Sequence, residues 1–171
     1  MSRIFITGAT GFIGKRLIRE LLDQGHTIYA LYRLRGMIIG SLSHPNLHII
    51  YGDLEEPEKM DPVYEEIDVA YYLVHSMAKK LKDLQEKEEQ IAKNFVHLIN
   101  QTKCQQIIYL GGIIDSECKL SPHLLSRQAV ENILKQAKAS TTLFRASIII
   151  GSASASFEII RDLVEKLPFM V

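Results

Sequence analysis

The stretch Ile4–Gly14, IFITGATGFIG, constrains this chain more than any other. A short apolar run rich in β-branched residues enters glycines at positions 8, 11 and 14, and an apolar-periodic segment follows at once, which is the order of strand, tight turn and helix. Phe12, Ile13, Leu17, Ile18, Leu21 and Leu22 fall on one face at helical spacing, and Gly25 marks the end of that helix. The first amides of such a helix and the positive end of its dipole point back at the glycine turn, so the turn is a site for a phosphate group.

Downstream, the same alternation repeats. Strands are predicted at 26–32, 47–51, 68–74, 105–110 and 141–150. Helices are predicted at 55–67, with Pro57 in the first turn, and at 77–102, 122–138 and 156–166. Residues 33–45 read as loop, broken by Gly36, Gly40 and Pro45. Six strands alternating with helices specify an α/β fold, a doubly wound parallel sheet of the Rossmann type with helices on both faces, within one domain over 1–171. The run KKLKDLQEKEEQ reads as the solvated front of the 77–102 helix, with Ile91, Phe95, Leu98 and Ile99 as its core stripe.

Composition narrows the function classes. Lys plus Arg and Asp plus Glu both number 20, so net charge favours neither nucleic acid nor an anionic membrane as partner. No window approaches the roughly 20 apolar residues of a membrane span, and the start MSRIFITG has no signal-peptide pattern, which predicts a cytoplasmic protein. Cys104 and Cys118 form no redox or metal spacing, and His26, His44, His48 and His97 are scattered, so no metal site is expected.

TGATGFIG, in this context, resembles the nucleotide-binding turn of the short-chain dehydrogenase/reductase superfamily, in its extended and atypical branches of epimerase-like and NmrA-like proteins. Gly52-Asp53-Leu54, DVAYYLVHSM at 68–77, Asn94 and FRASIIIG at 144–151 extend the resemblance over essentially the whole chain. It implies a dinucleotide cofactor held by Gly8, Thr10, Gly11, Phe12, Ile13 and Gly14. Asp53 and Leu54 would lie at the adenine, and Val74 and His75 beside the nicotinamide ribose. After the second strand, where an NAD site places a carboxylate, this chain has Leu31-Tyr32-Arg33. Arg33 can pair with a 2′-phosphate through its planar fork, so NADP is expected in preference to NAD.

The superfamily's catalytic serine and its Tyr-x-x-x-Lys pair are both missing. Gly111 and Gly112 stand at the serine's place, His123 at the tyrosine's and Arg127 at the lysine's, with Ser126 and Glu131 keeping the surrounding pattern. His123 is a candidate proton donor and Arg127 a candidate holder of ribose hydroxyls or a substrate anion. Two functions follow from the resemblance: an NADP-dependent oxidoreductase or epimerase-like enzyme acting on a small carbonyl or sugar-nucleotide-type substrate, or a non-catalytic dinucleotide-binding sensor or structural subunit. It also implies a homodimer through helices 78–102 and 122–138. The apolar end LPFMV, where extended members carry a substrate region, reads as a truncated protein or as a minimal cofactor-binding unit.

Overall fold

In the computed structural model, residues 1–33, 43–74, 81–113, 121–152 and 154–166 are described. The strands are β1 (Arg3–Ile6), β2 (Thr27–Tyr32), β3 (Leu47–Tyr51), β4 (Val69–Tyr72), β5 (Gln106–Gly112) and β6 (Ser140–Ala146). The helices are α1 (Phe12–Asp23), α2 (Leu81–Ile99), α3 (Pro122–Leu134) and α4 (Ala155–Lys166). All strand pairs are parallel, in the order β3-β2-β1-β4-β5-β6. The order reverses between β1 and β4. That reversal opens a crevice beyond the strand ends, where open α/β sheets bind ligands.

Each face of the sheet has its own core. On one face, Ile18, Leu21 and Leu22 of α1 pack against Ile4, Ile6, Ile28 and Ala30. On the other, Ile91, Phe95 and Ile99 of α2 and Val130 and Leu134 of α3 cover Phe5, Ala70, Tyr72, Ile107 and Tyr109. Phe95 stacks on Phe5 and meets Tyr72 edge-on at 4.8 Å between ring centres. Full burial of one such side chain contributes about 1.5–3 kcal/mol, so these stripes fix all three helices to the sheet.

Three sequence expectations need correction. Residues 55–67 form no α-helix; a single 3₁₀ turn spans Pro57–Lys59 and Met60 is extended. Pro62 explains this, because a proline pushes the residue before it, Asp61, out of helical geometry, and Asp61 instead accepts a bond from the Tyr51 amide. β6 stops at Ala146, where its partner β5 ends at Gly112, so Ile148–Ile150 lie outside the sheet. The charged front of α2 is not wholly solvated, since Glu88 is buried.

Phe144, Ile148 and Ile150, with Ile159, Ile160, Leu163 and Val164 of α4, stay exposed. Among the described residues no helix is long and apolar enough to cross a membrane.

Candidate functional site

The glycine turn sits at the crevice. Thr7, fully buried, extends the β1–β4 seam past its last ladder pair: its amide and hydroxyl both donate to the Tyr71 carbonyl at 3.0 Å, and its hydroxyl accepts from the Leu73 amide at 3.2 Å. Gly8 then turns with φ of 66°, and a Cβ placed there would lie 2.4 Å from the Leu73 carbonyl oxygen. The Gly11 amide closes the turn on the Gly8 carbonyl at 2.9 Å. A Cβ on Gly14 would come within 2.3 Å of that same carbonyl, so the first turn of α1 rests directly on the backbone of the loop.

Helix α1 starts without a cap. Gly11 has extended geometry and offers no side chain to the amides that follow. Those amides, with Thr10, Phe12 and Ile13 half-buried around them, are the groups a phosphate would meet. The first turn is also fastened from outside. The Arg16 guanidinium lies 3.9 Å over the Phe12 ring and donates to the Ser152 carbonyl at 2.7 Å, while Gly151 sits so close that a Cβ would touch that ring at 2.9 Å. The sequence carries no pattern that foretells this tie.

On one side of the turn, β2 and β3 end in the paired residues Tyr32 and Tyr51. Arg33 follows the first and is exposed; Gly52-Asp53-Leu54 follows the second. The Asp53 carboxylate accepts the Glu55 amide at 3.0 Å, which holds it in a local turn. Leu54 is buried, and its carbonyl accepts the side-chain amide of Asn94 on α2 at 2.6 Å. Asn94 thereby positions the Asp53 loop. Val74, half-buried, leaves β4 beside Gly8, whereas His75 lies outside the described residues.

Helix α3 presents a different surface. Ser121 caps it by accepting the Leu124 amide at 3.3 Å, and Pro122 occupies its first position. His123 is exposed in that first turn. Arg127, one turn on, is only 7% exposed, and its Nη2 lies 3.7 Å from the carboxylate of Glu88 on α2, itself 4% exposed. The Ser126 hydroxyl donates to the other oxygen of Glu88. Burial pulls the Arg127 pKa down to about 10. His123 and Arg127 are thus on one helix but in different surroundings, one at the solvent and one inside the α2–α3 contact.

Glu131, also buried, accepts from Arg145 of β6 at 2.7 Å and Lys135 at 2.8 Å. Tyr72 and Tyr109 lie below, their hydroxyl pKa values raised by burial and by Glu88. Sequence reasoning passed over Glu88 because it stands in a charge run. Its spacing from Ile91, Phe95 and Ile99 places it on the core stripe and was the available signal.

Among the described residues no group of His, Cys, Asp and Glu is arranged to hold a metal ion. A protein-family model described as NAD(P)H-binding matches residues 8–149. The photosystem II assembly factor Ycf39 of Synechocystis is 22% identical over 144 residues, 84% of this chain and 44% of that protein. The isoflavone reductase homolog P3 of Arabidopsis thaliana is 31% identical over 83 residues, 44% of this chain and 27% of that protein. This chain therefore spans less than half the length of either relative.

The fold recurs in solved structures, of which two serve as examples. One is UDP-glucuronic acid 4-epimerase from Bacillus cereus in complex with NAD, with a TM-score of 0.74 and 18% identity over 97% of this chain and 63% of that one. The other is Gre2 from Candida albicans, with a TM-score of 0.76 and 14% identity over 95% of this chain and 65% of that one.

Proposed function

Since this chain belongs to the NAD(P)H-binding family and has a Rossmann-type sheet, we propose that it binds NADP and, as a short-chain dehydrogenase/reductase-like domain, serves an oxidoreductase or epimerase-like reaction on a small carbonyl or sugar-nucleotide-type substrate. The carrying observation is the uncapped start of α1 over a glycine floor, where Gly8 and Gly14 leave no room for side chains and the helix amides stay open to a pyrophosphate. The adenosine half would extend toward Asp53 and Arg33 at the ends of β3 and β2. The nicotinamide half would then extend over β4 and β5.

When bound, such a cofactor supplies hydride transfer. The residues of this chain orient it: Thr7 and Gly8 fix the turn, Asn94 fixes the Asp53 loop, and Arg33 offers a cation to the 2′-phosphate. His123 is the proton donor in this reading, exposed at the strand-end side of α3.

Isothermal titration tests it. NADPH should bind more tightly than NADH, and Arg33→Ala should remove that preference by about tenfold. Saturable binding of neither would overturn the proposal, and an NADH preference would remove Arg33 from it. A second reading, a non-catalytic dinucleotide-binding subunit, is favoured by the burial of Arg127 against Glu88, which withdraws the cation at the superfamily's lysine position from the surface. Equal NADPH oxidation by wild type and His123→Ala across a panel of carbonyl compounds would favour that reading.

A further inference from the structure

The strand that in the superfamily ends with a catalytic serine ends here with glycines, and the space is not empty. Ile107 and Tyr109 face the layer covered by α2 and α3, and the strand's alternation turns position 111 to the same face. A Cβ placed on Gly111 would lie 2.9 Å from Cε1 and 3.4 Å from Cζ of Tyr109. The ring therefore leans along the strand into the volume a side chain at 111 would take, so a side chain there would require the ring to shift. Cζ carries the phenolic oxygen, and a serine at 111 would carry its hydroxyl one bond from that Cβ. With one further bond at each end, the two hydroxyl oxygens fall within about 6 Å of each other.

The hydroxyl of Tyr109 is also the one buried side-chain oxygen or nitrogen, among the described residues, that has no hydrogen-bond partner, in a residue 1% exposed. The nearby carboxylates are engaged elsewhere: Glu88 with Ser126 and Arg127, Glu131 with Lys135 and Arg145. A buried donor without an acceptor is a net cost to the fold, and a phenylalanine would fill the same volume without it. Features that break a local rule in this way concentrate where a ligand completes them.

Building on the dinucleotide reading above, we infer that Tyr109 is a positioning residue whose hydroxyl donates, directly or through one enclosed water, to an oxygen at the nicotinamide end of the bound cofactor. It thereby takes the place of a hydroxyl at position 111. The phenol stays neutral there, because burial and the neighbouring Glu88 and Glu131 all oppose its ionisation, so it donates a bond without becoming a base.

The test uses Tyr109→Phe, which removes one oxygen, and the double change Tyr109→Leu with Gly111→Ser, which returns a hydroxyl from the other position. Without ligand, Tyr109→Phe should melt about 2–5 °C above wild type. It should bind NADPH about three- to tenfold more weakly. It should bind 2′,5′-ADP, which lacks the nicotinamide end, as wild type does. The double variant should regain NADPH affinity.

Unchanged NADPH affinity in Tyr109→Phe overturns the inference, as does a lower melting temperature, which would mean that the hydroxyl was bonded within the fold. Equal weakening toward NADPH and 2′,5′-ADP overturns it as well, by assigning the effect to general damage. A wild-type chain that binds no dinucleotide fails the parent reading first, whereas a binding wild type with an indifferent Tyr109→Phe fails this inference alone.

Discussion

Helices α1 and α3 leave the same edge of the sheet, yet their first turns are built oppositely. At α1 the cap is Gly11 with no side-chain bond, and the floor is glycine backbone against glycine backbone. At α3 the Ser121 hydroxyl takes the Leu124 amide, Pro122 has no amide to offer, and the floor below holds the buried Glu88–Arg127 pair. The contrast is between a helix end left open to a ligand, where the sequence withholds the cap, and one closed within the fold, where it supplies one. The superfamily resemblance leads one to expect ligand-facing groups from both helices; the geometry offers free donors at α1 and engaged ones at α3.

The sharpest way to break this contrast is to damage each floor. Glu88→Ala should destabilise the protein by about 3–5 kcal/mol in urea unfolding, because it strands a buried guanidinium. Dinucleotide affinity of the remaining folded fraction should change little. Gly14→Ala should cost about 3 kcal/mol by overpacking the Gly8 carbonyl, and should abolish NADPH binding in calorimetry.

The caps come next. Ser121→Ala should lose about 1 kcal/mol of stability and leave binding intact. The reverse change, Gly11→Ser, should alter stability by only a few tenths of a kcal/mol. Its new hydroxyl competes for the amides, so NADPH should bind about tenfold more weakly. If Gly11→Ser bound normally, the uncapped start of α1 would not be the phosphate site.

The smallest effect is at the far end of the β1–β4 seam. The Arg3 amide donates to Asp68 at 2.7 Å, and this bond, with the Arg3 guanidinium, holds the Asp68 carboxyl below its ordinary pKa. A folded pKa below the unfolded one adds stability above the ordinary carboxylate range, and that stability is lost as pH falls through the folded value. Asp68→Asn should therefore lower the melting temperature slightly at neutral pH, and the gap to wild type should close as pH falls below about 4, where the carboxylate's contribution is lost anyway.

Most of the framework could be read from residue pattern, because buried parallel strands and amphipathic helices write their periods directly into the chain. The stripe Ile91, Phe95, Ile99 and the turn Gly8–Gly14 are cases where one local period or one steric demand decides the structure. Residues 55–67 misled because a helix-opening Pro57 outweighed, on the page, the breaking effect of Pro62. The surroundings of Arg127 could not be read either: its spacing from His123 fixes only that both lie on α3, while its burial depends on Glu88, 39 positions earlier and itself hidden in a charge run. Tyr109 was silent for the same reason, since a missing partner is a property of three dimensions. Such pairings leave no period in a single sequence.

The Arg16 bond to the Ser152 carbonyl has a mechanical consequence. It joins the beginning of α1 to the segment that follows the last strand, across 136 positions of sequence, with Gly151 wedged on Phe12. A chain cut back to Ala146 would keep all six strands and every sheet contact, yet would release this strap from the rim of the glycine turn. Its loss would be felt as slackness at the turn before it was felt as unfolding, so the shortest chain that holds the turn taut extends past the shortest chain that holds the sheet together.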